Sequence, residues 1–460
     1  MHYEKFADGS VKCIEDEIPF DLPDGWAWER LSNLASFSGG KTPTTSRLEY
    51  WNGNILWVTS KDMKSKYIIS SQLRLSALGA EQMQIYQPGT LLLVARSGIL
   101  RHTLPVAILK ECATINQDLK AIVLYMPQLA EYIYICLKGM EAQLLLRYTK
   151  SGTTVENINF DEFQKVLLPI PPAQQIDRII SSAGNAECVV STIEDDKVAL
   201  AEYVAKTKSK ILDLSIRGQL VPQDPNDEPA SVLLERIRAE KEELIRQGKI
   251  KRDKKESVIF RGEDNSYYEK MPDGKLHCLD DQLPFELPDS WEWCNLSMIG
   301  TTNIGLTYRP TDIEPDGVMV FRSCNIVNDQ VDLSDLVRVK TTIRENQYAQ
   351  KNDILICARN GSRALVGKCA LIPNLGEPAS FGAFMAIYRT EYFEYIVHYL
   401  RSSFFRSVFD DSNSTAINQL TQDMLKRAIV PLPPVFEQRR ITETINAMLF
   451  ELNQMEKSLN

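Results

Sequence analysis

Apolar and small side chains recur in alternating steps of four and three along residues 173–216: Ile179, Ala183, Ala186, Val190, Ile193, Leu200, Val204, Ile211 and Leu214. Lys197 and Thr207 are polar members of the same series. This is the narrow seam of a coiled coil rather than the broader stripe of a helix lying on a globular core. Pro169, Pro171 and Pro172 precede the run, and no further proline occurs until Pro222. A proline-rich turn cannot sit inside a helix but suits its first turn. The predicted helix is roughly 65 Å long at 1.5 Å per residue. That is too long to be buried in one domain, so it reads as a spacer.

The pattern recurs 262 residues later, where PLPP from Pro431 leads into a second amphipathic run. Ile441, Ile445, Met448, Leu452, Met455 and Leu459 fall in register with the first seam, and Arg440 falls on Arg178. Two long helices with matching seams are expected to pair with each other. Ile180, Val189 and Leu449 are apolar but lie off that seam. The rest of the chain repeats as well. LPDGWAWERL, with Trp26, Trp28 and Leu31, returns 265 residues on as LPDSWEWCNL, with Trp291, Trp293 and Leu296. QPGTLLLVARSG resembles KNDILICARNG, placing Arg96 over Arg359, and SGTTVENINFDEF (151–163) resembles NSTAINQLTQDML (413–425). The plan is therefore domain, helix, domain, helix.

Inside each globular repeat, short β-rich runs (ILWVTS, TLLLVAR, KAIVLY; VMVFRS, DILICAR, FMAIYR) precede a helical segment (LAEYIYICLKGM; EYFEYIVHYLRSSFF). Turns rich in Gly, Ser, Thr and Asn separate them, so each repeat is mixed α/β. The alternating tryptophans are expected as core anchors. Between the first long helix and the second repeat, PQDPNDEP reads as a loop and ASVLLERIRAEKEELIRQG as a charged amphipathic helix ended by Gly248. The mixed-sign run 249–255 reads as a solvated linker. The expected boundaries are 1–172, 173–256, 257–434 and 435–460.

Composition narrows the function. The chain of 460 residues is 44% hydrophobic and 25% charged, as in ordinary globular proteins. No apolar run is long enough to span a membrane, and the N-terminal residues do not resemble a signal peptide. Nine scattered cysteines without C-x-x-C spacing point to reduced thiols, hence a cytoplasmic protein without a zinc site. A net charge of −9 means that any contact with nucleic acid must use a locally basic face.

Candidate chemistry is sparse. ASFSGGKT from Ala35 fits a loose phosphate-loop pattern. A poor strand precedes it and Pro43 stands where the helix should begin, so nucleotide binding is disfavoured. The turn is expected instead to offer backbone amides and a lysine to a DNA phosphate. The four histidines lack metal-ligand spacing, and no nucleophile elbow or base-methylating N-P-P-Y motif occurs. What remains is a set of basic and amide side chains on turns. In the first repeat these are Lys41, Thr42, Arg47, Lys61, Arg96, Arg101, His102, Asn116 and Gln117. The second offers Arg309, Arg322, Asn325, Arg359, Asn360, Arg363 and Lys368. Arginine and lysine match guanine edges or phosphates; asparagine and glutamine match adenine. A pure coiled-coil scaffold that binds no DNA is the competing class.

Two diverged repeats with LPxxWxW near the start and P-x-P-P before a long helix resemble the specificity subunit of type I restriction-modification enzymes. GQLVPQDPNDEPASVLLERIRAEKEEL (218–244) carries the most specific part of that resemblance, which covers essentially the whole chain. It implies two target-recognition domains joined by two long antiparallel coiled-coil helices, in a pseudo-two-fold internal repeat. It implies a non-catalytic subunit whose two domains each read half of a bipartite double-stranded DNA site. The helices then set the spacing and hold two methyltransferase subunits, and motor-endonuclease subunits join the complex. S-adenosylmethionine, ATP and magnesium would belong to those partners. The second helix is shorter than its counterpart, which leaves open how far the pair stays zipped at that end.

Overall fold

The computed structural model describes residues 1–150, 155–252, 256–410 and 419–459. The chain divides into two compact units, Met1–Glu194 and Asp195–Asn460, with the division inside the long helix rather than at its start.

In the first unit, the strand Ala27–Arg30 pairs antiparallel with Leu167–Ile170, which sets Trp28 opposite Pro169. The two repeated motifs thus meet at the base of the unit. Above them lie β1 (Ala35–Gly39), β2 (Trp51–Val58), β3 (Leu91–Val94), β4 (Val106–Leu109), β5 (Ala113–Ile115) and β6 (Leu119–Leu124). A five-stranded sheet has the order β1, β6, β3, β4, Tyr67–Ile68. A three-stranded sheet places β2 between β5, to which it is parallel, and Leu73–Leu75. The run LLLV in β3 is buried throughout because both faces of its sheet are covered. Leu91 and Leu93 pack with Tyr132, Ile133 and Leu137 of helix α1 (Ala130–Gly139). Leu92 and Val94 pack with Leu56, Val58 and Ile115 of the small sheet. Each such leucine contributes about 1.5–3 kcal/mol of burial.

Helix α2 is continuous over Ala173–Ile216. It ends at Gly218, whose positive φ of 66° favours glycine and where a Cβ would lie 2.5 Å from the Pro288 ring. Helix α3 (Ala230–Arg246) follows, burying Leu233 and Leu234, and ends at Gly248. The linker beyond it is described only to Arg252; 253–255 lie outside the described residues.

The second unit repeats the layers. The strand Glu292–Asn295 pairs with Ile429–Leu432, setting Trp293 opposite Pro431. The working strands are β7 (Thr301–Ile304), β8 (Ile313–Phe321), β9 (Ile354–Cys357), β10 (Cys369–Leu371), β11 (Ala379–Phe381) and β12 (Met385–Arg389). The order β7, β12, β9, β10 reproduces β1, β6, β3, β4, and β8 is again parallel to β11. Helix α4 (Phe393–Arg401) covers the large sheet, with Ile354 and Ile356 turned to it and Leu355 and Cys357 to the small sheet. Trp291 and Trp293 are fully buried, while Trp26 and Trp28 are half-buried.

The last helix, α5 (Val435–Leu459), runs antiparallel to the C-terminal part of α2. Lys208 bonds Glu456 at 2.6 Å near the end of α5, whereas Gln223, just past α2, bonds Glu437 in the first turn of α5. Ile211, Leu212 and Ile216 share a core with Ile441 and Ile445. Glu437 also accepts from the Trp291 indole at 3.0 Å; burial pushes its carboxyl up, only partly offset by these two donors. In the first unit the same place is held by Gln175, which accepts from Trp26 at 3.2 Å.

The predicted seam needs correction. Ile179 packs on the first unit's core, Ala183 is half-buried, and Val204 and Ile211 are buried. Val190 and Ile193, expected in the seam, are 55% and 61% exposed, and every residue from 184 to 203 is exposed. With Glu456 already opposite Lys208, the antiparallel partner is level with about Ala205 at its last described residue. The described part of α5 therefore lies beside only the C-terminal part of the seam. Met448 is also exposed, and Leu449 takes its place beside Leu452 against the core. A straight helix drifts by about 20° per heptad, and a face packed on a globular core follows that drift. Among the described residues, no helix is long and apolar enough to cross a membrane.

Candidate nucleic-acid interface

Strand polarity brings four loops of the first unit to one end of its sheets: 39–42 after β1, 58–62 after β2, 95–98 after β3 and 115–118 between β5 and β6. Backbone hydrogen bonds tie them together. Lys41 N donates to Ile115 O at 3.1 Å, Asn116 N to Val58 O at 3.0 Å, and Ala95 N and Arg96 N both to Asp118 O. Gly40 is required by this packing, since a Cβ there would lie 2.1 Å from the Ile115 carbonyl oxygen. Gly305, 265 residues on, has the same duty against the Gly382 carbonyl oxygen at 2.2 Å.

The second unit forms the same floor. Leu306 N donates to Phe381 O, Gly382 N to Phe321 O, and Ala358 N and Arg359 N to Phe384 O. Arg96 and Arg359 therefore occupy one structural position, each also bridging to the last loop, at Asn157 and Gln419 respectively. The matching segments 151–163 and 413–425 are described only in part, since 151–154 and 413–418 lie outside the described residues.

On this floor the candidate side chains sort by what already holds them. Lys41, Lys61, Arg96, Arg309 and Arg359 are exposed, and none has a carboxylate in ion-pair distance among the described residues. Gln117 is exposed, and its amide oxygen accepts from the Thr42 hydroxyl. Arg47 is exposed and stacks on Tyr50. Arg101 is tied to the buried Glu156 at 3.0 Å, and Arg322 to Asp335 at 2.9 Å. Arg363 is exposed in a short turn after the Arg359 loop, next to an exposed Ser362, and Lys368 is half-buried at the start of β10.

Two candidates are corrected. Asn116 is 6% exposed and closes a turn, its amide donating to Asp118 and its oxygen accepting from the Asp118 backbone. Asn325 is 1% exposed; it accepts from Arg322 N and donates to Asp332 O and Asp335 O. Neither amide is presented to a base edge, because local side-chain-to-backbone bonds engage it. The Gly-Gly-Lys-Thr turn is likewise not an amide cradle. Ala35–Gly39 is a strand, a short 3₁₀ turn rather than an α-helix follows at Leu48–Tyr50, and the Lys41 amide is bonded to Ile115.

One feature has no counterpart among the sequence candidates. Phe384, in the loop between β11 and β12, is exposed, with the Arg359 guanidinium 5.5 Å from its ring centroid. Its neighbour sequence FGAFMAIYR reads as the start of a strand, so pattern alone conceals it. In the second unit His398 lies in the core, where burial and then the nearby Arg401 charge push it down to about 3.

Comparison with known proteins bears on this geometry. A family model described as the type I restriction modification DNA specificity domain matches residues 23–183 and again 288–460. The chain is 24% identical to the EcoAI type I restriction enzyme specificity subunit of Escherichia coli, over 96% of this chain and 80% of that one. It is 30% identical to the EcoEI specificity subunit of Escherichia coli, over 55% of this chain and 40% of that one. A solved structure concerned with complex assembly and conformational transition of the type I R-M system superposes with a TM-score of 0.60. That match covers 96% of this chain and 94% of the other at 15% identity, a likeness of fold.

Proposed function

The chain belongs to the type I restriction-modification DNA specificity family, and on that premise we propose that its two units read the two halves of one bipartite, asymmetric DNA site. The observation that carries this is the doubled floor: identical backbone ties at Arg96 and Arg359, with different side chains around them. Exposed cations supply phosphate contacts that position the duplex, and the unlike neighbours supply the reading. Gln117 offers amide donors in the first unit, and Arg309 a guanidinium in the second.

The bare stretch of α2 suits a protein partner. Val189, Val190, Ile193, Val198, Leu200 and Tyr203 are all exposed there, and α5 exposes Phe436, Phe450 and Met455. Apolar surface of that extent on helices is a docking face, and methyltransferase subunits are its proposed occupants. Motor-endonuclease subunits complete the proposed complex. S-adenosylmethionine, ATP and magnesium are assigned to those partners, the chain itself being non-catalytic and cytoplasmic.

The test is selection from a pool of random duplexes by the chain assembled with methyltransferase subunits. The expected result is one enriched motif of two unlike halves flanking an unread gap. Retention of DNA without sequence preference, or none at all, would favour the scaffold reading.

A further inference from the structure

We propose that Phe384 is a specificity-determining residue of the second unit, making apolar contact with a thymine methyl group in the major groove; this rests on the DNA-reading function above. A lone exposed ring means little by itself. Three observations single this one out. Its backbone is fixed: the Phe384 carbonyl accepts from Ala358 N at 2.9 Å and Arg359 N at 3.0 Å, and Met385 N closes a turn onto Gly382 O at 2.8 Å. Its side chain is 60% exposed, so the ring adds little to the core. The Arg359 guanidinium lies 5.5 Å from its ring centroid, a cation–π contact that orients the ring.

The first unit supplies the control that evolution has already run. The same two backbone donors, Ala95 N and Arg96 N, close onto the carbonyl of Asp118. There the side chain is a carboxylate turned back to accept from Asn116. The fold therefore does not require an aromatic group at this point. A position with constant backbone and divergent side chain, beside a constant cation, is where two units reading different sequences are expected to differ. Of the groups on a base pair that a phenyl ring can recognise, the thymine methyl is the apolar one in the major groove.

The experiment uses the chain assembled with its methyltransferase subunits and the selected motif. Replacing thymines of each half-site one at a time by deoxyuridine removes only the methyl. Wild type is expected to lose about fourfold in affinity at one thymine, the worth of one apolar carbon. Phe384→Ala should be indifferent to that replacement and accept other base pairs at that position, with the other half-site and the gap unchanged. Phe384→Leu should keep the thymine preference, since it remains apolar. Melting temperatures matching wild type confirm that both variants fold. An unchanged motif in Phe384→Ala, uracil tolerated by wild type at every position, or loss of preference in Phe384→Leu would each overturn the inference. Failure of wild type to select any motif would overturn the reading function instead.

Discussion

Arg96 and Arg359 show how one residue type acquires a role from its backbone. Each follows a fully buried strand and donates its amide to a loop carbonyl, so its side chain leaves the sheet at one fixed point. A cation kept in both units suits phosphate better than base, because the halves differ in sequence. Arg96→Ala is expected to weaken binding to all sequences alike and to lower the slope of log affinity against log salt by about 0.9. The selected motif should not change; a changed motif in that variant would assign Arg96 to base reading. Residue type alone misleads at Asn116 and Asn325, whose amides face their own turns. The clue was local: Asn-x-Asp and Arg-x-x-Asn are spacings at which a short side chain can close a turn. Phe384 was hidden for the opposite reason, since an apolar residue before a strand is indistinguishable by pattern from the strand's own first residue.

At the scale of elements, the strands were legible because their periodicity is local. LLLV and ILIC are short continuous apolar runs, and they are buried on both faces whatever covers them. The helix seam was legible as a helix and illegible as a contact. Spacing in fours and threes records a shared face but carries no information on where a partner ends. Ile445 is fully buried between α5 and the core, so Ile445→Ala should destabilise the second unit by about 2–5 kcal/mol in chemical denaturation. Val190→Ala, in the bare stretch of α2, should stay within about 0.5 kcal/mol, alanine being the better helix former. A large loss from Val190→Ala in the isolated chain would mean that another helix covers the stretch in solution.

For the whole molecule, the bare stretch gives the length of α2 a test free of folding artefacts. Deleting residues 190–196 removes no buried side chain and shortens the helix by about 10 Å, close to two full turns. In the assembled complex, the bases of both half-sites should persist, while the unread gap shrinks by about three base pairs at about 3.4 Å each. New half-site bases with an unchanged gap would show that α2 does not set the spacing.

The strand that leads into the sheets of each unit pairs with the strand that leads out of them, and this has a consequence for inheritance. Trp28 lies across from Pro169, and Trp293 across from Pro431, so the chain enters and leaves the sheets of each unit at adjoining points. A segment whose ends adjoin can be exchanged without disturbing what surrounds it. The repeated motifs LPxxWxW and P-x-P-P sit at those two points. Recombination between related genes at these short stretches of like sequence would replace a whole reading unit as a cassette, leaving the helices intact, and new target sites would arise by shuffling rather than by gradual substitution.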